Sequence, residues 1–483
     1  MVRPLSQSHI ELTNDVHPWR DRLAPSSVEI LSPEGMSISS PRLRAFANSK
    51  FPFGGSDGAV WQGRGLTTAI DGGVVARVSG LSVAVRPTLL YTQNTSFELA
   101  VPSVNGLPEY AYPWRRIDLP QRFGPSDFWT LDPGQSEVRL DAWGGSAGLG
   151  TMNLWWGPGV RNGIVMSANA PGIPHAFLGT NGEVQTGIGG FEARWIWGRL
   201  QQSNWFDPTT TSTRRFITGI AAAYSPSFVG GLSLGFARMF YVLVPPTGVP
   251  IGDYFAVLRG VRKKALASSQ TPTGDDEHDQ LISFFGRWVL VDSGFEVYWE
   301  WARNDHSWSL RDFMLQPEHS QAYTLGLRKT WERSGNRLGV LTAELTHLEA
   351  DPTFQLRGKG TYYAHHIVTQ GYTQRGQIIG AAVGPGGNAQ YLAFDVYRPS
   401  GRLGISFERH VHDNDAYYDW AAAHNQTICC NDVSFNLGGS ALFFVDDFDL
   451  GGGVIVTREY NRYFYGLDLW NLNLSFSARW RPD

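Results

Sequence analysis

Residues 295–303 read Phe-Glu-Val-Tyr-Trp-Glu-Trp-Ala-Arg, and their alternation decides the fold. Phe295, Val297, Trp299 and Trp301 hold one parity, while Glu296, Tyr298, Glu300 and Ala302 hold the other. A helix would scatter both sets round its surface, whereas a strand sends successive side chains to opposite faces. Apolar groups on one face and two carboxylates on the other fit a membrane-barrel strand, lipid on one side and a hydrated lumen on the other.

The same alternation recurs along the chain. Phe191, Ala193, Trp195 and Trp197 oppose Glu192, Arg194 and Ile196. Leu232, Leu234 and Phe236 oppose Ser233, Gly235 and Ala237. Tyr323, Leu325 and Leu327 oppose Thr324, Gly326 and Arg328, and Leu403, Ile405 and Phe407 oppose Arg402, Ser406 and Glu408. A last strand carries Leu472, Leu474, Phe476, Ala478 and Trp480, an aromatic close to the chain terminus. Soluble sandwich strands alternate too, but here the polar parity holds charges of both signs and the apolar parity recurs with Trp or Tyr near strand ends. Tight turns at Pro399-Ser400-Gly401 and Ser334-Gly335-Asn336 contrast with long stretches at 94–134, 245–279 and 410–432. Short turns at one end and long loops at the other are what a barrel of the outer membrane needs. The stretch 254–267, YFAVLRGVRKKALA, is the best helical candidate and is placed in a loop.

Composition narrows the alternatives. Only 42% of the 483 residues are hydrophobic, and no run approaches the eighteen or so apolar residues of a spanning helix. Yet 13% are aromatic, with 18 Trp among them, and there are 55 Gly, a profile suited to interfacial girdles and crowded strands. A net charge of −4 without a basic run argues against nucleic acid as a partner. Outer-membrane lipid is an expected partner, and the expected state is a monomer.

The domain reading is residues 1–65 as an N-terminal periplasmic segment or plug and 66–483 as an all-β, transmembrane antiparallel barrel. The first part is rich in Ser and Pro, with a short helix expected at Pro41–Asn48 and no alternating strand until about Gly72. Its opening, MVRPLSQSHIELTNDVHPWRDR, has no apolar core of a secretion signal. An outer-membrane chain must cross the inner membrane, so the numbering is expected to begin at a mature or mis-assigned start. Cys429 and Cys430 are neighbours in a polar run; loop thiols are the simplest reading, with a vicinal disulfide or an intermolecular bond as alternatives.

Two motifs stand out. The first is Leu154-Trp155-Trp156-Gly157-Pro158-Gly159 with Arg161, followed by Gly163-Ile164-Val165-Met166-Ser167 and Ala170-Pro171-Gly172-Ile173-Pro174. The second is Tyr362-Tyr363-Ala364-His365-His366, then Gly371-Tyr372, Arg375, Gly376-Gln377-Ile378-Ile379-Gly380 and a glycine-rich run from Gly384 to Gly387. Together they resemble the Trp-Trp-Gly-Pro-Gly block and the aromatic-His-His segment of the Wzi-type capsule assembly proteins, in that family's order. The resemblance covers roughly residues 135–480. It implies a barrel of about eighteen strands in the bacterial outer membrane, with a lumen blocked by loops and N-terminal helices, binding exported capsular polysaccharide from outside. The helical N-terminal region of that family is shortened or diverged here.

If His365 and His366 sit in a strand they face opposite ways and cannot chelate one ion, so neither metal nor cofactor is expected. Ser406, Glu408 and His410 share a strand face, but spacings of two residues are too long for a hydrolytic triad. No enzyme is expected. Trp155 and Trp156 read as packing at the barrel wall. Saccharide binding is expected instead from two loops mixing aromatic and charged groups: Tyr112, Trp114, Arg115, Arg116 and Arg122 in one, His412, Asp413, Tyr417, Tyr418 and Trp420 in the other. The function expected is a barrel that tethers surface polysaccharide, with a porin-like solute channel as the alternative.

Overall fold

A computed structural model describes residues 17–19, 34–207, 213–259, 278–304, 314–351, 360–424 and 430–481, the side chains of 420–424 excepted. Its strand segments form one closed antiparallel sheet of eighteen wall strands. In chain order these are β1 (Gly35–Asn48), β2 (Gly65–Val78), β3 (Leu81–Val85 continued as Thr88–Thr92) and β4 (Phe128–Asp132 continued as Glu137–Ala142). Next come β5 (Gly145–Gly150), β6 (His175–Thr180 continued as Val184–Thr186), β7 (Gly189–Gln201), β8 (Arg214–Pro226) and β9 (Leu232–Leu243). The far wall is β10 (His278–Leu290), β11 (Phe295–Asn304), β12 (Gln321–Arg333), β13 (Arg337–His347) and β14 (Asn388–Arg398). Last are β15 (Gly401–Val411), β16 (Val433–Val445), β17 (Phe448–Arg462) and β18 (Leu467–Trp480). β1 pairs with β2 on one side and β18 on the other, which closes the barrel.

Parity behaves as the sequence predicts. In β11, Phe295, Val297 and Trp299 are exposed on the outer wall, while Glu296, Tyr298, Glu300 and Ala302 are buried inside. The inward Glu296 pairs with Arg287 of β10 at 3.0 Å. The start of β1, the end of β18 and the short turns, including 398–401 and 333–337, share one end, which places that end in the periplasm and the long loops outside. Exposed aromatics ring both ends: Trp143, Phe228, Trp288, Phe443 and Trp480 below, and Trp129, Tyr460 and Trp470 above.

The 65/66 boundary does not hold as drawn, because Gly35–Asn48 is the first wall strand and not an arm, and Pro41–Asn48 is strand rather than helix. Its register shifts between Ser39 and Arg42, where Pro41 cannot donate to the ladder, and the outward parity changes from Met36 and Ile38 to Leu43. Residues 17–19 lie against the barrel at its short-turn end. Trp19 donates its indole N–H to the Arg398 carbonyl at 2.8 Å and packs on Tyr397 and Phe444 at the periplasmic turns. Of the helical candidate at 254–267, residues 254–259 are described: a single helical turn at Ile251–Tyr254 and a 3-10 turn at Ala256–Leu258 lie against the outer wall, and 260–267 fall outside the described residues. Cys430 is disulfide-bonded, so the free-thiol reading fails; Cys429 lies outside the described residues.

Candidate functional site

Two of the extracellular loops fold inward. The segments 151–174, between β5 and β6, and 360–387, between β13 and β14, enter the lumen and share one apolar core with the inner wall. Trp156, Ile164, Val165, Met166, Tyr363, Tyr372 and Ile379 pack there against Phe177, Ile196, Ile217, Met239, Leu281 and Phe285. Burying an aromatic or large aliphatic side chain stabilises by about 1.5–3 kcal/mol, so this plug is a folded core in its own right. Trp155 and Trp156 therefore pack inside the lumen, not at the wall. The Trp155 indole donates to the Gly159 carbonyl at 3.1 Å and closes the Gly-Pro-Gly turn.

Inward carboxylates hold that turn. Glu344 of β13 accepts hydrogen bonds from the amides of Val160 (2.6 Å), Arg161 (3.1 Å) and Asn162 (2.9 Å) and from the Tyr298 hydroxyl (2.8 Å). Glu300 of β11 accepts from the Ile164 amide at 3.1 Å. Gly157, at φ +98°, passes so close that a Cβ would lie 2.9 Å from a Glu300 oxygen. Arg161 lies over the Tyr391 ring and near Glu408. The second motif clasps the first: Tyr363 and Tyr372 donate to the carbonyls of Ile164 (2.7 Å) and Val165 (2.8 Å). Gly371 and Tyr372 turn back so that the Tyr372 amide donates to the Tyr363 carbonyl at 2.8 Å.

His365 and His366 lie in a loop, not a strand, with ring centroids 4.6 Å apart, and His365 Nδ1 accepts from the Val368 amide at 3.0 Å. Glu408 turns to Arg161 and Asn436, and His410 Nε2 lies 3.1 Å from the Val383 carbonyl, so Glu408 and His410 serve separate partners.

The two loops expected to bind saccharide meet at the extracellular end. Arg115 pairs with Asp413 at 2.9 Å, and the Tyr112 hydroxyl donates to the same carboxylate. Burial, reinforced by Asp413, raises the Tyr112 hydroxyl well above its ordinary range. Burial works against the Arg115 charge, yet Asp413 beside it raises its pKa overall. Trp114 packs on Phe464 (5.1 Å), as does Tyr417 (5.5 Å), with Tyr418 exposed beside it. Arg116 pairs with Asp207 at 2.5 Å. His412 lies with Asp432 and Glu459, their polar atoms within 4.8 Å of one another. The Trp420 side chain falls outside the described residues. Arg122 is buried and donates to the carbonyls of Asn94 and Pro125, which makes it a rivet of its own loop.

What that rivet shapes is a cavity of about 750 Å³. Its aromatic walls are Trp61, Phe123 and Trp205; its polar groups include Arg199, Arg214, Arg375, Gln202, Asn204 and Gln377. Trp61 packs on Phe123 with tilted rings at 4.8 Å, and Trp205 meets Tyr110 edge-on at 5.5 Å. Gly124, at φ +82°, leaves room for the Trp205 indole, which a Cβ would meet at 2.3 Å. Asp118 anchors the Trp205 loop by accepting from the Ser203 amide at 2.7 Å and from its hydroxyl, and its burial raises its pKa. Arg375 pairs with Asp132. Of the cavity's lining, the two sequence motifs contained Pro171, Arg375 and Gln377; for the rest, the amide-rich run Gln201-Gln202-Ser203-Asn204-Trp205 was the signal available.

The model of the capsule assembly protein Wzi family matches residues 57–427. The chain belongs to the Wzi capsule assembly family. Among solved structures, Wzi of Escherichia coli, described as an outer-membrane carbohydrate-binding β-barrel involved in group 1 capsule assembly, aligns with TM-score 0.63 at 13% identity, covering 99% of this chain and 92% of that one. The likeness extends the family match to the barrel as a whole, and this Wzi-family chain is an outer-membrane β-barrel. OccK7 of Pseudomonas aeruginosa aligns with TM-score 0.43 at 11% identity, over 92% of this chain and 99% of that one. No curated protein matches.

Proposed function

We propose that this Wzi-family barrel binds capsular or other surface polysaccharide from outside, as a monomer and without catalysing a reaction, and helps hold it at the cell surface. The observation that carries the reading is the cavity between Trp61 and Trp205. Aromatic faces suit the apolar C–H face of a sugar ring, and the neighbouring guanidinium and amide groups suit its hydroxyls and carboxylates. The carbohydrate binding described for the E. coli protein supports the same reading. Trp114, Tyr417 and Tyr418 extend it as an aromatic rim. A solute channel would need a water path through a lumen in which Trp156, Tyr363 and Tyr372 are packed as core.

The test pairs two measurements on the full chain. Purified barrel retains capsular polysaccharide in a pull-down, and it gives no stable conductance steps in planar bilayers. Large open steps with no glycan retention would establish the channel instead.

A further inference from the structure

The wall is low at one place. β5 and the first part of β6 are six residues long, whereas β7 and β8 run to thirteen. Beyond Gly150 and His175 the chain turns inward to build the plug, so the upper wall between β4 and β7 is notched. Outside that notch lies a groove of about 650 Å³, its apolar lining including Val85, Val138, Leu149, Ala176, Trp197 and Phe216. It continues down the outer wall into a second hollow of about 450 Å³ that reaches Leu140 and Leu178. Tyr254 roofs it: its carbonyl accepts from the Trp197 indole at 2.8 Å, and its ring packs on Phe216 at 4.8 Å.

The head of the groove is cationic. Arg199 lines both the groove and the Trp61–Trp205 cavity, so the two spaces meet at its side chain. Arg214 stands on the neighbouring strand, where Gln201 pairs with it in register. Both arginines are exposed and carry the outward parity of Trp197 and Phe216. Neither guanidinium has a hydrogen-bond or ion-pair partner among the described residues, unlike Arg375, which Asp132 neutralises. Two guanidiniums without such a partner among the described residues, at the outer rim of a lipid-facing groove, call for an anion attached to an apolar chain.

We propose that this notch binds a phosphorylated glycolipid of the outer leaflet. An acyl chain lies in the groove over Ala176, the phosphate sits on Arg199 and Arg214, and the first sugars enter the cavity toward Trp205. Sugar entry rests on the saccharide reading of that cavity; the acyl and phosphate contacts do not. The site thus takes a glycan by its lipidated end, from the side of the barrel.

The test uses the full barrel in phosphate-free detergent, with lipopolysaccharide trimmed to lipid A and core as probe and the delipidated core oligosaccharide as control. Wild-type protein is expected to bind the glycolipid saturably at one site by native mass spectrometry. The double variant Arg199→Gln/Arg214→Gln should weaken this at least about tenfold, since bidentate arginine–phosphate contacts are lost. Ala176→Trp fills the groove from the lipid side and should weaken the glycolipid equally while leaving the oligosaccharide unaffected; folding of both variants is checked by the heat-dependent shift of the barrel on gels. Unchanged glycolipid affinity in either folded variant overturns the proposal. Arginine- and groove-dependent glycolipid binding with no oligosaccharide binding sustains the lipid site and removes the saccharide reading of the cavity.

Discussion

The Tyr363 hydroxyl donates to the carbonyl oxygen of Ile164 at 2.7 Å, across 199 residues of sequence. The Tyr363 hydroxyl oxygen in turn accepts from the Ala381 amide at 2.8 Å, so one side chain ties both inserted segments together. Tyr363→Phe leaves a buried acceptor and a buried donor unpaired, at a cost of about 1–3 kcal/mol each. The expected result is faster amide exchange at residue 381 and across 164–167, with the barrel's gel shift unchanged. Exchange as slow as in wild type would mean that the two segments are held by apolar packing alone.

The Glu344 carboxylate is the second fastening. Three amides and a tyrosine hydroxyl converge on it, and hydrogen bonds to a charged acceptor contribute about 1.5–3 kcal/mol each. Glu344→Gln keeps the shape but turns an NH2 group toward donors. The turn at 160–162 should then loosen, and brief conductance openings should appear in planar bilayers where wild type is silent. A variant as silent as wild type would show that the plug does not depend on this grip.

How much of this was legible in sequence differs by element. Phe295–Arg303 was readable because a wall strand faces lipid on one side and a polar interior on the other, which writes a period of two into the residues. β1 escaped because its register shift at Pro41 breaks that period midway. The motif around Trp155 and Trp156 was visible as a motif, yet its place was not: nothing local distinguishes a Trp pair in the wall from one folded into the lumen. The cavity was least legible, since Trp61, Phe123, Trp205 and Arg375 come from four separate segments and meet only when the loops turn inward. The pairing of Tyr112 and Arg115 with Asp413 lay between these cases: both loops were singled out by composition, but not their contact.

His17 gives a pH dependence at the periplasmic end. Its ring is buried against Trp19 and Tyr397, and desolvation lowers its pKa from 6.5 to about 4. A depressed pKa means that the neutral form is favoured on folding, so the stabilisation is present above pH 6.5 and is lost as pH falls toward 4. At about 1.4 kcal/mol per unit, docking of this segment weakens by roughly 3 kcal/mol over that window. Trp19 fluorescence should shift toward the solvent-exposed value between pH 6.5 and 4, and His17→Phe should abolish the shift. A shift that persists in the variant would assign the transition to another group.

Trp205 and Arg122 separate binding from architecture at the cavity. The Trp205 indole lies against Gly124 and forms one aromatic wall, and truncating an aromatic anchor in a binding pocket typically costs more than about 1 kcal/mol. Trp205→Ala should therefore weaken saccharide binding about tenfold, which corresponds to about 1.4 kcal/mol, while thermal stability changes little. Arg122→Ala removes the donor that joins the Asn94 and Pro125 carbonyls, so it should lower stability and protease resistance of the 93–127 loop as well as binding. Glycan titration and limited proteolysis on the two variants distinguish the roles. If Trp205→Ala binds polysaccharide as wild type does, the cavity is not the site, and the aromatic rim of Trp114, Tyr417 and Tyr418 becomes the place to look.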